Sequence, residues 1–299
     1  MSHKSQTRSL FVFIILLCGF CAVILASLAT FLAGPQQRAK EEDEGKQMLI
    51  AAKILSYNGY FQIKNDAGTF VPGIFDKEKN IIVPYEGESK RIPSASGDGV
   101  LTVLSNRIEP FLVNDQGEIF TFADKNIDLK DYLKDNEKTG YANLPLKLIY
   151  KIYDNAYPEK TVTGYIFPIN GYGLWGPIYG YLAIEGNGQT VIGTTWYNQG
   201  ETAGLGAEIS TEEWQRQFYK KSIFQPGEDG SIDPKTSPIG ITVVKGEVSQ
   251  IYGDSPRAQN AVDGISGATL TSKGVSNAYH DSLNPYLPFL TTLKDTDAQ

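Results

Sequence analysis

Cysteine is nearly missing from this 299-residue chain: there are two, Cys18 and Cys21, and both lie inside an apolar N-terminal run. A disulfide framework is therefore excluded, as is a cysteine set for an iron–sulfur cluster beyond that run. A cysteine-free domain folds in an oxidising or a reducing setting, so the compartment stays open. Histidine is as scarce, with only His3 and His280. A His-rich metal site is excluded by that count, and no Cys/His or Ser/His pair suggests nucleophilic catalysis. No cluster of Lys and Arg stands out and the net charge is −7, so nucleic acid is not an expected partner. No G-x-G-x-x-G follows a strand and opens a helix, which removes the usual dinucleotide site. Internal repeats and low-complexity tracts are lacking as well.

What is present begins with the N-terminus. No charged residue occurs between Arg8 and Arg38, and Leu10 to Ala33 is dominated by Leu, Ile, Val, Phe and Ala. That exceeds the ~20 residues a helix needs to cross the hydrocarbon core. It is also well beyond the ~7–15 residues of a signal peptide's apolar region. Ala26-Ser27-Leu28-Ala29 does offer the small residues of a cleavage site. The length favours an anchor in membrane lipid: an N-terminus over 1–9 and a transmembrane helix over 10–33. Lys4 and Arg8 precede the helix with no acid beside them, whereas Arg38 and Lys40 run straight into Glu41, Glu42, Asp43 and Glu44. Positive flanks stay on the cytoplasmic side, so the main domain is expected on the outer face. Cys18 and Cys21 share one face of this helix, either as two small apolar side chains or as ligands of a shared centre.

Beyond the anchor, Gln36 to Ser56 carries Met48, Leu49, Ala52 and Leu55 at helical spacing, with Asn58-Gly59 as the stop. Short β-prone runs then alternate with turn clusters: Ile81 to Val83, Val100 to Leu104, Phe111 to Val113 and Ile119 to Phe122. No chemical motif falls in that stretch, so 34–145 reads as a linker helix and a supporting β-rich subdomain. The remainder, 146–299, is denser in signals. Lys147 to Tyr153 and Thr161 to Pro168 read as strands, and Tyr179 to Glu185 and Gln189 to Tyr197 flank a Gly186-Asn187-Gly188 hairpin turn. Thr211 to Lys221 reads as a helix capped by Thr211, Ile241 to Val244 as a strand, and Ala268 to Leu283 as a last helix. Strands joined by short turns outnumber helices. The expected class is α+β, mainly antiparallel sheet with packed helices, plus one N-terminal transmembrane helix.

The sharpest chemical signal is Asp263-Gly264-Ile265-Ser266-Gly267-Ala268-Thr269. On average residue usage, D-x-x-[ST]-G-A-T arises by chance on the order of once in a thousand chains of this length. Gly267 and Ala268 remove bulk where a backbone must approach an anion, and the helix that follows points its unpaired N–H groups the same way. Thr269 offers a hydroxyl at that positive helix end, with Thr271 and Ser272 beside it. A plain loop-to-helix junction with Ser and Thr caps is the simpler reading of the same residues. Two further glycine-rich loops precede it: Asn170-Gly171-Tyr172-Gly173-Leu174-Trp175-Gly176 and Gly200-Glu201-Thr202-Ala203-Gly204-Leu205-Gly206. Flat apolar faces, backbone donors and a phosphate cradle are the parts a flavin nucleotide needs. Each loop alone could be no more than a tight turn.

Together, in this order and spacing, the loops resemble the FMN-binding domain family shared by the C-type subunit of the sodium-translocating NADH:quinone reductase and the G-type subunit of the Rnf complex. The resemblance implies that 146–299 binds FMN covalently. It makes Thr269 the phosphoester attachment residue, with Asp263, Ser266, Gly267 and Ala268 completing the motif. The Glu201 to Gly206 loop looks like the family's E-T-P-G-L-G, which puts Thr202, Gly204 and Leu205 against the flavin, and Leu174 and Trp175 along its ring. Ala203 stands where proline is usual. Other implications are a one-electron carrier without catalytic residues or metal ligands of its own, partners in a membrane redox complex, and maturation by a flavin transferase. The location implied is a bacterial inner membrane with the domain on the periplasmic side. The anchor and the long segment before 145 favour the quinone-reductase branch over the Rnf branch. An anchored protein for a noncovalent phosphorylated ligand, or an assembly subunit whose glycine loops are only turns, are the readings from other classes.

Overall fold

Alternating side chains of one antiparallel sheet serve two separate cores, and the rest of the chain is arranged around them. The computed structural model describes residues 3–65, 67–87, 92–155 and 160–297. The side chains of His3, Lys4, Arg8 and Arg38, named above, lie outside the described ones. Two compact units are present, Met1–Glu44 and Gly45–Gln299.

The first helix, α1, runs from His3–Ala51 with Pro35 inside it. Its apolar stretch is long enough to cross a membrane, and its large side chains from Leu10 to Leu32 are exposed. Leaving that surface in water would be costly, whereas lipid accepts it. The Ser27 and Thr30 hydroxyls donate to the Val23 and Ala26 carbonyls at 2.7 and 2.9 Å, so neither is left unpaired in an apolar surrounding.

Helix α1 stops at Ala51, five residues short of the expected Ser56. Lys53 takes φ +54°, and the Ile54 and Leu55 N–H groups both return to the Leu49 carbonyl. Asn58-Gly59 lies beyond, in a separate turn in which the Gly59 N–H donates to the Ser56 carbonyl. The apolar residues here point all round rather than along one stripe, since Leu49, Ala51, Ala52, Ile54 and Leu55 are all buried. A three-stranded antiparallel meander follows: β1 (Phe61–Lys64), β2 (Phe70–Asp76) and β3 (Ile81–Pro84). Val100 to Leu104, expected as a β-prone run, is helical within α2 (Gly97–Arg107). Its start carries a local signal: the Ser96 hydroxyl accepts the Gly99 N–H at 3.1 Å, with Asp98 in the first turn and Arg107 in the last.

The main sheet has six strands, β4 (Ile108–Val113), β5 (Ile119–Phe120), β6 (Lys147–Tyr153), β7 (Val162–Tyr172), β8 (Pro177–Glu185) and β9 (Val191–Asn198). They are ordered β5-β4-β6-β7-β8-β9, every neighbour antiparallel. A short helix, α3 (Leu129–Asn136), joins β5 to β6. The expected division at 145/146 therefore falls inside one sheet, to which both sides contribute strands. Ile149, Tyr165, Phe167, Ile169, Leu182 and Ile184 face one core. Leu148, Tyr150, Ile152, Ile166, Tyr181 and Ala183 face the other, with Leu49, Leu55, Val100 and Val103. Successive side chains on a strand point to opposite faces, so a sheet covered on both reads as continuous apolar runs.

The first core is closed by the C-terminal half. That half contains α4 (Glu212–Gln215), β10 (Thr242–Val243), α5 (Val248–Ile251), β11 (Ala261–Val262), α6 (Thr269–Leu283) and α7 (Leu287–Asp297). The expected helix over Thr211 to Lys221 is shorter: α4 is one turn capped by Thr211, a tighter turn spans Arg216–Phe218, and Lys220 at φ +62° ends it. Strands β10 and β11 pair in parallel. Helix α6 lies directly on β7. A Cβ on Gly171 would come 2.5 Å from the Ala278 Cβ, and one on Gly274 would come 2.0 Å from the Tyr172 carbonyl oxygen. The Ser282 hydroxyl spans the same contact, accepting the Asn170 N–H and donating to the Asn170 carbonyl, both at 3.1 Å. Phe167 packs edge-on against Tyr286, with ring centroids 5.0 Å apart, and the Tyr286 hydroxyl donates to the Leu148 carbonyl.

Glycine at 274 is thus required by close approach. Gly274→Ala should push α6 off β7 and cost about 1–3 kcal/mol, whereas Gly200→Ala, with nothing within 4 Å of its added carbon, should be nearly neutral. Chemical denaturation of the two variants checks this, and equal stabilities would contradict it.

Candidate functional site

The contact between α6 and β7 brings the start of α6 beside the loop that links β7 to β8. That loop is closed by the Gly173 N–H donating to the Gly176 carbonyl at 2.8 Å. Leu174 and Trp175 occupy its tip with their side chains in solvent; Trp175 is 70% exposed. Their main-chain N–H groups point inward to Glu201, at 3.1 and 2.9 Å. The Glu201 side chain is buried, at 9% exposure, and its carboxylate also accepts the hydroxyl of Thr271. Burial by itself would raise this carboxyl's pKa. The hydrogen bonds from Thr271, Trp175 and Leu174 outweigh that effect and hold it below the ordinary range. Cβ atoms at Gly173 or Gly206 would come within 2.5 and 2.6 Å of its oxygens, so glycine on both sides lets the carboxylate in.

The loop that follows β9 is tied to its neighbours by two more contacts. Trp175 Nε1 donates to the Thr202 hydroxyl at 3.1 Å. Leu205 packs on the backbone at Gly267, where an added Cβ would lie 2.8 Å from Leu205 Cδ2. Within the loop, the Leu205 N–H donates to the Thr202 carbonyl at 3.1 Å, and Gly204 takes φ +73°. That is the geometry of a type II turn, with Ala203 at the position where proline is favoured. The loop keeps its path without proline because Gly204 supplies the left-handed residue.

Gly267, at φ +75°, turns the chain into α6. Ala268 stands at the N-cap position with no side-chain hydrogen bond, so the simpler reading of the motif, in which a Ser or Thr caps the helix, does not describe this end. The first N–H groups are thereby left for an anion. The three hydroxyls near this end differ sharply. Thr271 is 1% exposed and occupied by Glu201; Ser272 is buried and accepts the Ile265 N–H at 3.4 Å. Thr269 is exposed. Asp263 is engaged with other segments: its carboxylate accepts the Val248 N–H at 2.7 Å and its carbonyl accepts Trp214 Nε1 at 3.0 Å. Ser266 is exposed beside Gly267.

An open cleft of about 680 Å³ adjoins this point, lined by Lys245, Gly246, Glu247, Gly264, Ser266, Gly267, Thr269 and Lys273 among others. Sequence reasoning missed the two lysines. Lys273 was accessible to it, being four residues after Thr269 and so on the same helical face; Lys245 arrives from just beyond β10 and carried no local signal. Tyr172, Leu174, Trp175, Leu205 and Leu270 add large exposed apolar side chains on the same three segments. Such grouping on a surface marks a binding face. A second cavity, of about 600 Å³, lies among Lys53, Lys64, Phe70, Arg107 and Tyr219, and none of the flavin-site residues expected from the sequence lines it.

The comparisons with known proteins bear on this site. The FMN-binding domain family matches residues 173–284, a span that starts in the β7–β8 loop and ends just after α6. The C-type subunit of the Na(+)-translocating NADH-quinone reductase of Chlamydia caviae is 38% identical over 296 residues, covering 95% of this chain and 92% of that protein. Its counterpart from Chlamydia pneumoniae is 40% identical over 299 residues, covering 96% and 92%. Among solved structures, the same subunit from Parabacteroides distasonis superposes with a TM-score of 0.52 at 28% identity, covering 87% of this chain and 97% of that one.

Ala203→Pro should stabilise the chain by about 0.4–1 kcal/mol, by restricting the unfolded state at a position already suited to proline. No hydrogen bond from the Ala203 N–H is found among the described residues, so none is lost. A lower denaturation midpoint in the variant would contradict the turn assignment.

Proposed function

This chain belongs to the family of the C-type subunit of the Na(+)-translocating NADH-quinone reductase, and from that premise we propose that it is an anchored electron-carrying subunit with FMN joined to Thr269 by a phosphoester. The observation that carries the proposal is the convergence on one exposed hydroxyl, Thr269, of a helix start without a side-chain cap and two loops bearing exposed Leu174, Trp175 and Leu205.

The residues present fit a phosphorylated flavin. The N–H groups at the start of α6 favour a phosphate, and Gly267 and Ala268 keep side chains out of its way. Among the charged residues lining the adjoining cleft, Lys245 and Lys273 outnumber Glu247. Leu174, Trp175 and Leu205 offer flat or apolar surface to a ring, with Thr202 holding the Trp175 indole and Gly204 shaping the turn. FMN, when bound, supplies reversible one- and two-electron chemistry. A phosphoester through Thr269 would leave the ring untouched and keep the group from washing out of an exposed site. Nothing in the sequence supplies a dinucleotide fingerprint, so the chain is expected to exchange electrons with centres elsewhere in a membrane complex. Leu10 to Ala33 would sit in lipid, and Lys4 and Arg8 would hold the N-terminus inside. The domain would then face the periplasm of a bacterial inner membrane, where a flavin transferase would load it.

Thr269→Val should give a folded, colourless protein when the full chain is expressed with a flavin transferase, while the parent gains the mass of FMN and stays yellow after denaturation. The loaded parent alone should oxidise NADH no faster than free FMN does. Flavin mass persisting on Thr269→Val would remove the attachment assignment, and colour lost from the denatured parent would point to a noncovalent ligand.

Orientation is tested separately. Alkaline phosphatase fused after Gln299 should be active and a cytoplasmic reporter at the same place silent; the reverse pattern would place the domain inside.

A further inference from the structure

Several residues of the site would touch a flavin, but Glu201 is the buried acid that joins all three of its segments. Its carboxylate accepts the N–H groups of Leu174 and Trp175, 27 and 26 residues away, and the hydroxyl of Thr271, 70 residues away. Thr271 lies two residues after Thr269 and in the same first turn of α6, so the carboxylate grips the helix end that presents the attachment hydroxyl. The two amides it accepts belong to the tip that carries Leu174 and Trp175. A hydrogen bond to an ionised acceptor is shorter and stronger than a neutral one, and three on one buried carboxylate hold both partners against thermal motion. Gly173 and Gly206 crowd the carboxylate so closely that a Cβ at either would collide with it, which leaves it little freedom to turn.

We propose that Glu201 is a positioning residue: its carboxylate holds the Leu174–Trp175 tip at a set distance from the Thr269 end of α6, so that the walls of the site stand in place before flavin arrives. The inference rests on the reading that this site takes FMN through Thr269. Glu201 itself is buried under the loops and acts through Trp175 and Thr271. Removing the charge weakens these three hydrogen bonds and so loosens the tip relative to the helix. A misplacement on the scale of an ångström at a reacting centre reduces rate by up to about a hundredfold. Flavin loading is therefore the step that suffers.

The test uses the full chain in detergent, with Glu201→Gln, Thr271→Val, the double variant and Thr269→Val beside the parent. Two readouts are taken. The first is the main-chain amide resonance of Trp175 in the flavin-free chain labelled with ¹⁵N-tryptophan; the chain's three tryptophans keep the spectrum simple. The second is the fraction carrying FMN by intact mass after timed exposure to a flavin transferase and FAD. In Glu201→Gln the Trp175 amide should shift upfield while Trp196 and Trp214 stay in place, and loading should slow by roughly ten- to a hundredfold. Thr271→Val should slow it less, and the double variant should be no slower than Glu201→Gln alone, because both changes remove the same contact. A Trp175 amide at the parent position in Glu201→Gln overturns the proposal, and so does parental loading despite a shifted amide. Should Glu201→Gln fail to fold, Thr271→Val is read by loading rate alone, because it leaves the Trp175 N–H on Glu201 Oε1; parental loading in that variant overturns the proposal. Flavin retained on Thr269→Val would instead defeat the attachment reading, and the amide resonance then decides the role of Glu201 by itself.

Discussion

Loops that lie far apart in sequence form one binding face only if something fixes the distances between them, and here the buried carboxylate of Glu201 does so. Taking an ionised group out of water is costly unless its lone pairs are satisfied. Glu201 meets that condition with two main-chain N–H groups and one hydroxyl, drawn from the other two segments of the site. The requirement is mutual: those amides are turned away from solvent at the tip of the β7–β8 loop and need an acceptor of their own. Loss of the carboxylate would leave donors unpaired on both sides. The exposed apolar side chains of the site can therefore face outward without the loops collapsing on one another.

The sheet beneath makes this arrangement rigid. Because both of its faces are covered, by residues 48–55 and α2 on one side and by α6 and α7 on the other, neither face can slip without opening a core. Gly171 and Gly274 let α6 approach β7 to a distance that no other residue type allows, and Ser282 satisfies the Asn170 backbone across that seam. The helix end carrying Thr269 is thus set by contacts spread along α6, from Gly274 beside the β7–β8 loop to Ser282 at its far end. A binding group on such a scaffold need not order the chain that receives it, which lowers the cost of binding.

Much of the fold was legible where a local signal existed. The strands from Lys147 to Tyr197, the Gly186-Asn187-Gly188 turn and helix α6 stand near where periodicity and turn residues put them. The exception is that β7 runs past the expected Pro168 through Asn170-Gly171-Tyr172, residues expected in a loop, because each of them pairs with β8. The misreadings have physical causes. Val100 to Leu104 is apolar and β-branched enough to read as a strand, yet the Ser96 cap and the packing of Val100 and Val103 into the second core make it helical. Helix α1 ends early because every side chain from Leu49 to Leu55 but Ile50 and Lys53 is buried, so tertiary contacts rather than an amphipathic stripe decide its path. Near 145 the sequence changes character, but the sheet runs across that point because strand pairing joins β4 to β6 regardless of the chain between them.

The sequence by itself determined the long apolar N-terminal run and the motif ending at Thr269, because both rest on contiguous residues: an uncharged apolar stretch, and small residues placed directly before a helix. It also set the residue inventory, with two Cys and two His, since counts need no geometry. Only the tertiary structure decided which of three neighbouring hydroxyls faces solvent. Thr269, Thr271 and Ser272 share one helical turn, and their difference comes from what packs against each, a property of side-chain direction and distant partners. The same holds for Glu201, an ordinary acid in a glycine-rich loop until the chain folds. Its partners lie 26, 27 and 70 residues away, and pairing over such separations is set by the sheet register and the seating of α6.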